Sequence, residues 1–173
     1  FLSLINSNIS QAENINLYIN ENQVMVEVGN DVFYSRVIDE RFPDFESVIP
    51  KDNNKKLIIN RLEFLSTVKR VSVLSNKTTR QIALNLTKDN IKITTEDNEK
   101  SSKGFENISG SFTGEDLIIG YNAAYLKDIL SHLTTDEIMI KLNSPISAGL
   151  FFPKEQLKDS DLTMLLMPIR LNN

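Results

Sequence analysis

The chain has 173 residues, enough for one complete hydrophobic core and part of another. Without a cysteine it can hold neither disulfides nor thiolate metal sites, and it shows no long apolar run or signal-type N-terminus, so the expected setting is cytoplasmic, with no membrane partner. A net charge of −4 and a pI near 5.1 argue against a protein that grips nucleic acid by bulk phosphate neutralisation, which needs clustered Lys and Arg free of competing carboxylates.

In chain order, residues 1–9 read as the end of an amphipathic helix, with Phe1, Leu2, Leu4 and Ile5 apolar and Asn6, Ser7 and Asn8 closing it. A meander of strands follows: Ile15 to Ile19, the alternating Val24, Val26 and Val28, and Val32 to Ile38, punctuated by Asn20-Glu21-Asn22 and Gly29-Asn30-Asp31. Pro43 and Pro50 break the sheet and mark a domain boundary, placed between residues 1–50 and 51–173. The second domain opens with a strand at Leu57 to Ile59 and a helix from about Arg61 to Ser75, with Asn60 as its cap and Glu63 in the reciprocal capping position. Phe64, Leu65, Val68 and Val71 share the buried side of that helix; Ser66, Thr67 and Arg70 lie opposite, with Lys69 beside them. Strands are expected at Ile82 to Leu86 and Ile91 to Thr94, and a further pair at Gly104 to Ser111 and Asp116 to Tyr121, with the charged link Glu96 to Lys103 as a solvated loop. Asn122 then caps a helix whose stripe of Leu126, Ile129, Leu130 and Leu133 faces inward and whose Lys127, Asp128 and Ser131 face out, before a last meander.

A short repeat is visible. The segment Phe1-Leu2 through Ile5, followed by Ile15-Asn16-Leu17-Tyr18-Ile19-Asn20, matches Tyr125-Leu126 through Ile129, followed by Ile138-Met139-Ile140-Lys141-Leu142-Asn143. Each half is a helix feeding strands. Catalysis finds little support: the lone His132 sits on a polar helix side, there is no Gly-rich phosphate loop or nucleophile elbow, and the carboxylates Asp39, Glu40, Asp44, Glu96, Asp97 and Glu99 lie in polar turns. No metal or cofactor is expected.

Three segments carry a family resemblance: Ser35-Arg36-Val37-Ile38-Asp39-Glu40-Arg41-Phe42-Pro43-Asp44-Phe45, Gly120-Tyr121-Asn122-Ala123-Ala124-Tyr125-Leu126 and the terminal Leu165-Leu166-Met167-Pro168-Ile169-Arg170-Leu171. They resemble the bacterial sliding clamp, the beta subunit of DNA polymerase III, in which Asp-Gly-Arg-Phe-Pro-Asp-Tyr links the second and third domains and Met-Pro-Met-Arg-Leu ends the chain. Glu40 stands for the family's Gly and Ile169 for a Met. The resemblance runs through the whole chain and implies an α+β DNA-clamp fold, antiparallel sheets outside and two helices on the pore-facing side, preceded by part of another clamp domain. The chain then reads as a C-terminal fragment of a processivity factor that encircles double-stranded DNA without regard to sequence. It is not an enzyme, it forms a head-to-tail homodimer when full length, and it holds short linear motifs of the polymerase, the clamp loader and repair proteins.

The peptide-binding positions implied by the resemblance are Pro43 and Val48 from the linker, Asn122 and Tyr125 at the helix start, Ile146 and Ala148 on a strand, and Leu165, Met167, Pro168, Ile169 and Arg170 in the tail. Their types suit apolar anchors and an extended backbone, with Asn122 and Tyr125 as polar handles. Ser47 stands where the family often has a basic residue. Lys69, Arg70 and Lys127 are the DNA-facing candidates, and Val73 and Leu74 the subunit contact. Without the family, Leu165, Met167 and Tyr125 read as core and the basic side chains as a solvated helix face. The rival reading is a β-rich, non-enzymatic binding module with clamp-like packing.

Overall fold

The computed structural model describes residues 1–9 and 14–171, which form two compact units dividing between Asp44 and Phe45. In the first, helix α1 (Leu2–Ile9) is followed by β1 (Ile15–Ile19), β2 (Gln23–Val28) and β3 (Asp31–Arg36), an antiparallel sheet in that order. The Asn20 side chain accepts the Asn22 and Gln23 N–H groups at 2.9 and 2.8 Å, closing the first hairpin. Gly29 takes the second at φ +59°, a left-handed conformation that costs a glycine little. The small core of this unit is Ile5, Val26 and Val28, with Ile9, Val24 and Phe33 packed on it.

The second unit begins with a 3-10 turn, Phe45–Val48, so the compact body starts ahead of the boundary read from the two prolines. Its regular elements are β4 (Lys55–Asn60), α2 (Arg61–Val71), β5 (Gln81–Leu86), β6 (Asn90–Asp97), β7 (Ser102–Ser109), β8 (Ser111–Thr113), β9 (Leu117–Asn122), α3 (Ala123–His132), β10 (Glu137–Leu142), β11 (Gly149–Pro153) and β12 (Met164–Leu166). A 3-10 turn, Ser72–Leu74, extends α2. Two antiparallel sheets result, β12-β11-β10-β4-β8 and β7-β6-β5-β9.

An internal two-fold pattern organises this unit. Asn60 opposes Glu137 where β4 meets β10, and Asn122 opposes Gln81 where β9 meets β5. Each Asn then caps the helix that follows, accepting from Glu63 N–H and Ala124 N–H respectively, both at 2.9 Å. The next residue in each case donates its N–H to the carbonyl just before the partner strand, Arg61 to Asp136 and Ala123 to Arg80, both at 2.8 Å. The two helices lie side by side and antiparallel: Arg61 of α2 donates to the Leu130 and Thr135 carbonyls at the far end of α3, while Lys127 of α3 reaches the Ser72 hydroxyl. Phe64, Val68 and Val71 from α2 and Leu126 and Leu130 from α3 share one core with Leu57, Ile59, Ile82, Leu84, Ile119, Ile138 and Ile140 of the two sheets. Full burial of each such side chain is worth about 1.5–3 kcal/mol.

The structure corrects three readings. β7 pairs with β6 and β9 with β5, so the strands expected as a pair are not neighbours. Gly110 ends β7 where the chain leaves for the other sheet, and a Cβ there would come within 2.9 Å of Ile91 and 3.2 Å of Leu57. The segment Glu96 to Lys103 is a hairpin, not a solvated loop: Glu96 opposes Lys103 across the ladder in a 3.3 Å ion pair, and Asp97 is buried. Thr67, read as part of the solvent face of α2, is fully buried.

Candidate functional site

The tail owes its course to one close approach. After β12, the Ile169 N–H donates to the Gly120 carbonyl at 2.8 Å, seating the chain end on β9. A Cβ at position 120 would lie 2.6 Å from the Ile169 carbonyl oxygen and 2.6 Å from the Leu171 side chain, so only glycine admits this contact. The tail thereby meets the strand that leads into Asn122 and α3, and β12 itself packs against α3. Beside it opens a cleft of about 830 Å³, with Leu117, Ile118, Pro145, Ile146, Arg170 and Leu171 among its walls.

Of the predicted peptide-binding residues, Ile146 and Arg170 line that cleft. Tyr125, Ile146 and Met167 are 64, 62 and 60% exposed, so Tyr125 and Met167 are not core, and three large apolar surfaces face solvent on one unit. Leu165, Pro168 and Ile169 are half-buried, with Leu165 opposite Leu150 in the sheet. Ile146 and Ala148 lie in the turn ahead of β11 rather than on a strand, and Ala148 is buried, its carbonyl accepting from Asn53 at 2.9 Å. Asn122 is engaged within the fold, its Oδ1 capping α3 and its Nδ2 donating to the Thr79 carbonyl at 3.3 Å, because a helix start leaves N–H groups that need an acceptor. Val48 is exposed in the 3-10 turn, and Pro43 belongs to the first unit.

The basic candidates separate sharply. Arg70 grips Glu106 with two hydrogen bonds, 2.8 and 2.6 Å, and donates to the Thr67 hydroxyl at 2.9 Å. The hydrogen bond from Arg70 holds the Glu106 carboxyl below the usual carboxylate range. Arg70 is thus ion-paired within the protein, with its side chain still 57% exposed. Lys69 is exposed, and Lys127 reaches toward Ser72 Oγ at 3.5 Å. Val73 is 80% exposed, whereas Leu74 is partly covered, its Cδ1 lying 2.6 Å from where a Gly104 Cβ would be. Next to them β7 is the outer strand of its sheet, with Phe105 exposed beneath the Lys92 ammonium at 4.6 Å.

Sequence reasoning missed Ile118 and Leu171 in the cleft, and Lys77 and Arg80 near Lys127. A strand alternation argument could have exposed Ile118, which points away from the core between buried Leu117 and Ile119. His132 is exposed, its Nδ1 2.8 Å from the Asp128 carbonyl of its own helix. Among the described residues no group of three or more His, Cys, Asp or Glu is placed to hold a metal ion, and no helix is long and apolar enough to cross a membrane.

A two-fold pair of strand–helix units with the helices side by side and apolar side chains displayed beside a docked tail defines a clamp-type domain. Residues 46–170 match the family model described as DNA polymerase III beta subunit, C-terminal domain, and the chain belongs to that family. It is 33% identical over 156 residues to the beta sliding clamp of Haemophilus influenzae and 31% identical over 157 residues to that of Proteus mirabilis, covering 90 and 91% of this chain. It spans only 41 and 42% of those relatives' lengths. A DnaN sliding clamp from Bartonella birtlesii, solved with griselimycin bound, superposes with a TM-score of 0.87 at 29% identity, covering 98% of this chain and 44% of that one. The DNA polymerase III subunit beta from Pseudomonas aeruginosa gives 0.82 at 27% identity, covering 91 and 42%.

Proposed function

We propose that the chain acts as the C-terminal part of a bacterial sliding clamp. Residues 1–50 would supply the end of the middle domain with its linker, and residues 51–173 the last domain. In this reading the protein encircles duplex DNA, carries no catalytic machinery and works in the cytoplasm. Polymerase and clamp-loader subunits dock through short linear motifs, and Val73 and Leu74 serve the subunit contact of a head-to-tail dimer. The observation that carries the reading is the antiparallel pair α2 and α3, laid side by side over one core with two antiparallel sheets. Enclosure explains how an acidic protein can hold DNA: grip comes from topology, contacts stay weak enough to slide, and a negative exterior discourages adhesion outside the ring.

The peptide site in this proposal centres on Tyr125, Ile146, Leu165, Met167, Pro168, Ile169 and Arg170. A short peptide with Leu and Phe anchors is expected to shift the NMR signals of Tyr125, Ile146 and Met167. Shifts confined to the Glu96 to Lys103 hairpin, with those three unmoved, would overturn the assignment.

A further inference from the structure

Between the end of α2 and the start of α3 lies a cavity of about 270 Å³ whose walls include Ser72, Val73, Ser75, Lys77, Arg80 and Lys127, with no acidic residue among its lining. Three cations face one small space in a chain whose net charge is −4. None of the three takes part in an ion pair among the described residues, unlike Arg70. The segment that presents two of them is pinned. Asn76 Oδ1 accepts the Thr78 and Thr79 N–H groups at 2.9 and 3.2 Å, and Arg80, at φ +50°, donates its N–H to the Asn76 carbonyl and accepts from Ala123. A non-glycine residue held in the left-handed region by hydrogen bonds on both sides marks a position whose geometry the fold maintains at a cost. The first N–H groups of α3 are already taken, by Arg80 O and Asn122 Oδ1, and the Ser72 and Ser75 hydroxyls donate to the Lys69 and Ser72 carbonyls. Among the described residues the donors left to the cavity are those of Lys77 and Arg80 and the ammonium hydrogens of Lys127 that its long 3.5 Å contact with Ser72 Oγ does not use.

We infer that Lys77, Arg80 and Lys127 form a seat for one backbone phosphate of DNA, resting on the clamp reading above for the identity of the polymer. The cavity has room for a single phosphate and not for a strand. Lys69 stands exposed one helical turn before Ser72, so the unpaired positive charge continues along α2 as a repeating polyanion requires. Lysine ammonium groups serve as point-charge phosphate binders, and the Arg80 fork adds directed donors.

The test is fluorescence anisotropy of a labelled duplex against salt, with the full chain. Each neutralised phosphate contributes about 0.9 to the slope of log affinity against log salt, so Lys77→Gln with Arg80→Gln, which empties a seat for one phosphate, should flatten it by up to about 0.9. Between about 50 and 200 mM salt the double variant should then lose about 3.5-fold less affinity than the parent. The paired swap Lys154→Gln with Glu137→Gln, which removes an ion pair outside the cavity lining, should leave the slope unchanged. Lys77→Gln alone, at an exposed turn position, gives a half-sized effect should the double variant fold poorly, and circular dichroism checks the fold of each. An unchanged slope in the Lys77, Arg80 and Lys127 variants while Lys69→Gln still flattens it would overturn the seat and leave the DNA reading standing. No detectable duplex binding at about 50 mM salt would likewise overturn the seat, but not a ring that works by enclosure. A polyglutamate peptide whose binding falls as much as that of the duplex would overturn the phosphate assignment in favour of an acidic protein segment.

Discussion

Replacing Gly120 with Ala should detach the tail from β9 while leaving the core intact. The added Cβ would stand 2.6 Å from the Ile169 carbonyl oxygen, a backbone atom that cannot swing aside as a side-chain end can. What is lost is the Ile169 N–H to Gly120 carbonyl bond, about 1 kcal/mol net, and the half-burial of Leu171, about another 1 kcal/mol. A stability loss of about 1–2.5 kcal/mol in urea denaturation should follow, modest because Ile119 and Tyr121 on either side keep their core contacts. Peptide affinity should suffer more in proportion. Arg170 and Leu171 form a wall of the 830 Å³ cleft, and Met167 hangs between β12 and the bridge. Losing the burial of one apolar anchor, about 1.5–3 kcal/mol, weakens the anisotropy-measured Kd about tenfold or more. Gly104→Ala is the control, since its Cβ meets only the Leu74 side-chain end. Unaltered peptide affinity in Gly120→Ala, with NMR showing Ile169 released from β9, would refute the view that the docked tail builds the site.

Tyr121→Phe should be neutral or stabilising by up to about 1 kcal/mol in denaturant unfolding, because the hydroxyl is buried beside Gly149 without a hydrogen-bond partner among the described residues; a loss of stability would mean the hydroxyl is satisfied in solution. Burial raises its phenol well above the usual tyrosine range, so no tyrosinate absorbance from Tyr121 should appear before alkaline unfolding. Asn60→Ala and Asn122→Ala should each cost about 1 kcal/mol, the second somewhat more for its extra bond to Thr79, as measured by thermal melts. Acid titration separates the Arg70–Glu106 pair: the folded-state pKa of Glu106 is lowered, so its contribution is present above the ordinary glutamate pKa and fades as pH falls through the lowered value. Glu106→Gln should remove that acid-side loss, and an identical pH profile in parent and variant would refute it.

The helices and most strands were legible because each carries its own period. The Phe64, Leu65, Val68 and Val71 stripe and the Leu126, Leu130 and Leu133 stripe are buried as the 3.6-residue spacing predicts, and both caps sit on the expected Asn. What pattern cannot carry is partnership. Which strand lies beside β7, whether Arg70 meets DNA or Glu106, and whether Asn122 serves a ligand or its own helix all depend on neighbours far along the chain. Thr67 reads as polar surface, yet its hydroxyl finds the Arg70 fork and the residue disappears into the core.

The repeat makes the same point quantitatively. Ile138, Ile140 and Leu142 of β10 and Ile15, Leu17 and Ile19 of β1 carry matching alternation, but the first three are 0, 1 and 1% exposed and the second 50, 60 and 67%. Intrinsic propensity is the same on both sides of this comparison. What differs is the company: β10 is flanked by β4 and β11 and shares a core with α2 and α3, while among the described residues β1 pairs with β2 alone. At about 1.5–3 kcal/mol for each fully buried aliphatic side chain, the face of β10 contributes several kcal/mol to the second unit. Alternation in a sequence thus specifies which side of a strand is apolar, and only a second layer, such as α2 and α3 supply to β10, decides whether that side is buried.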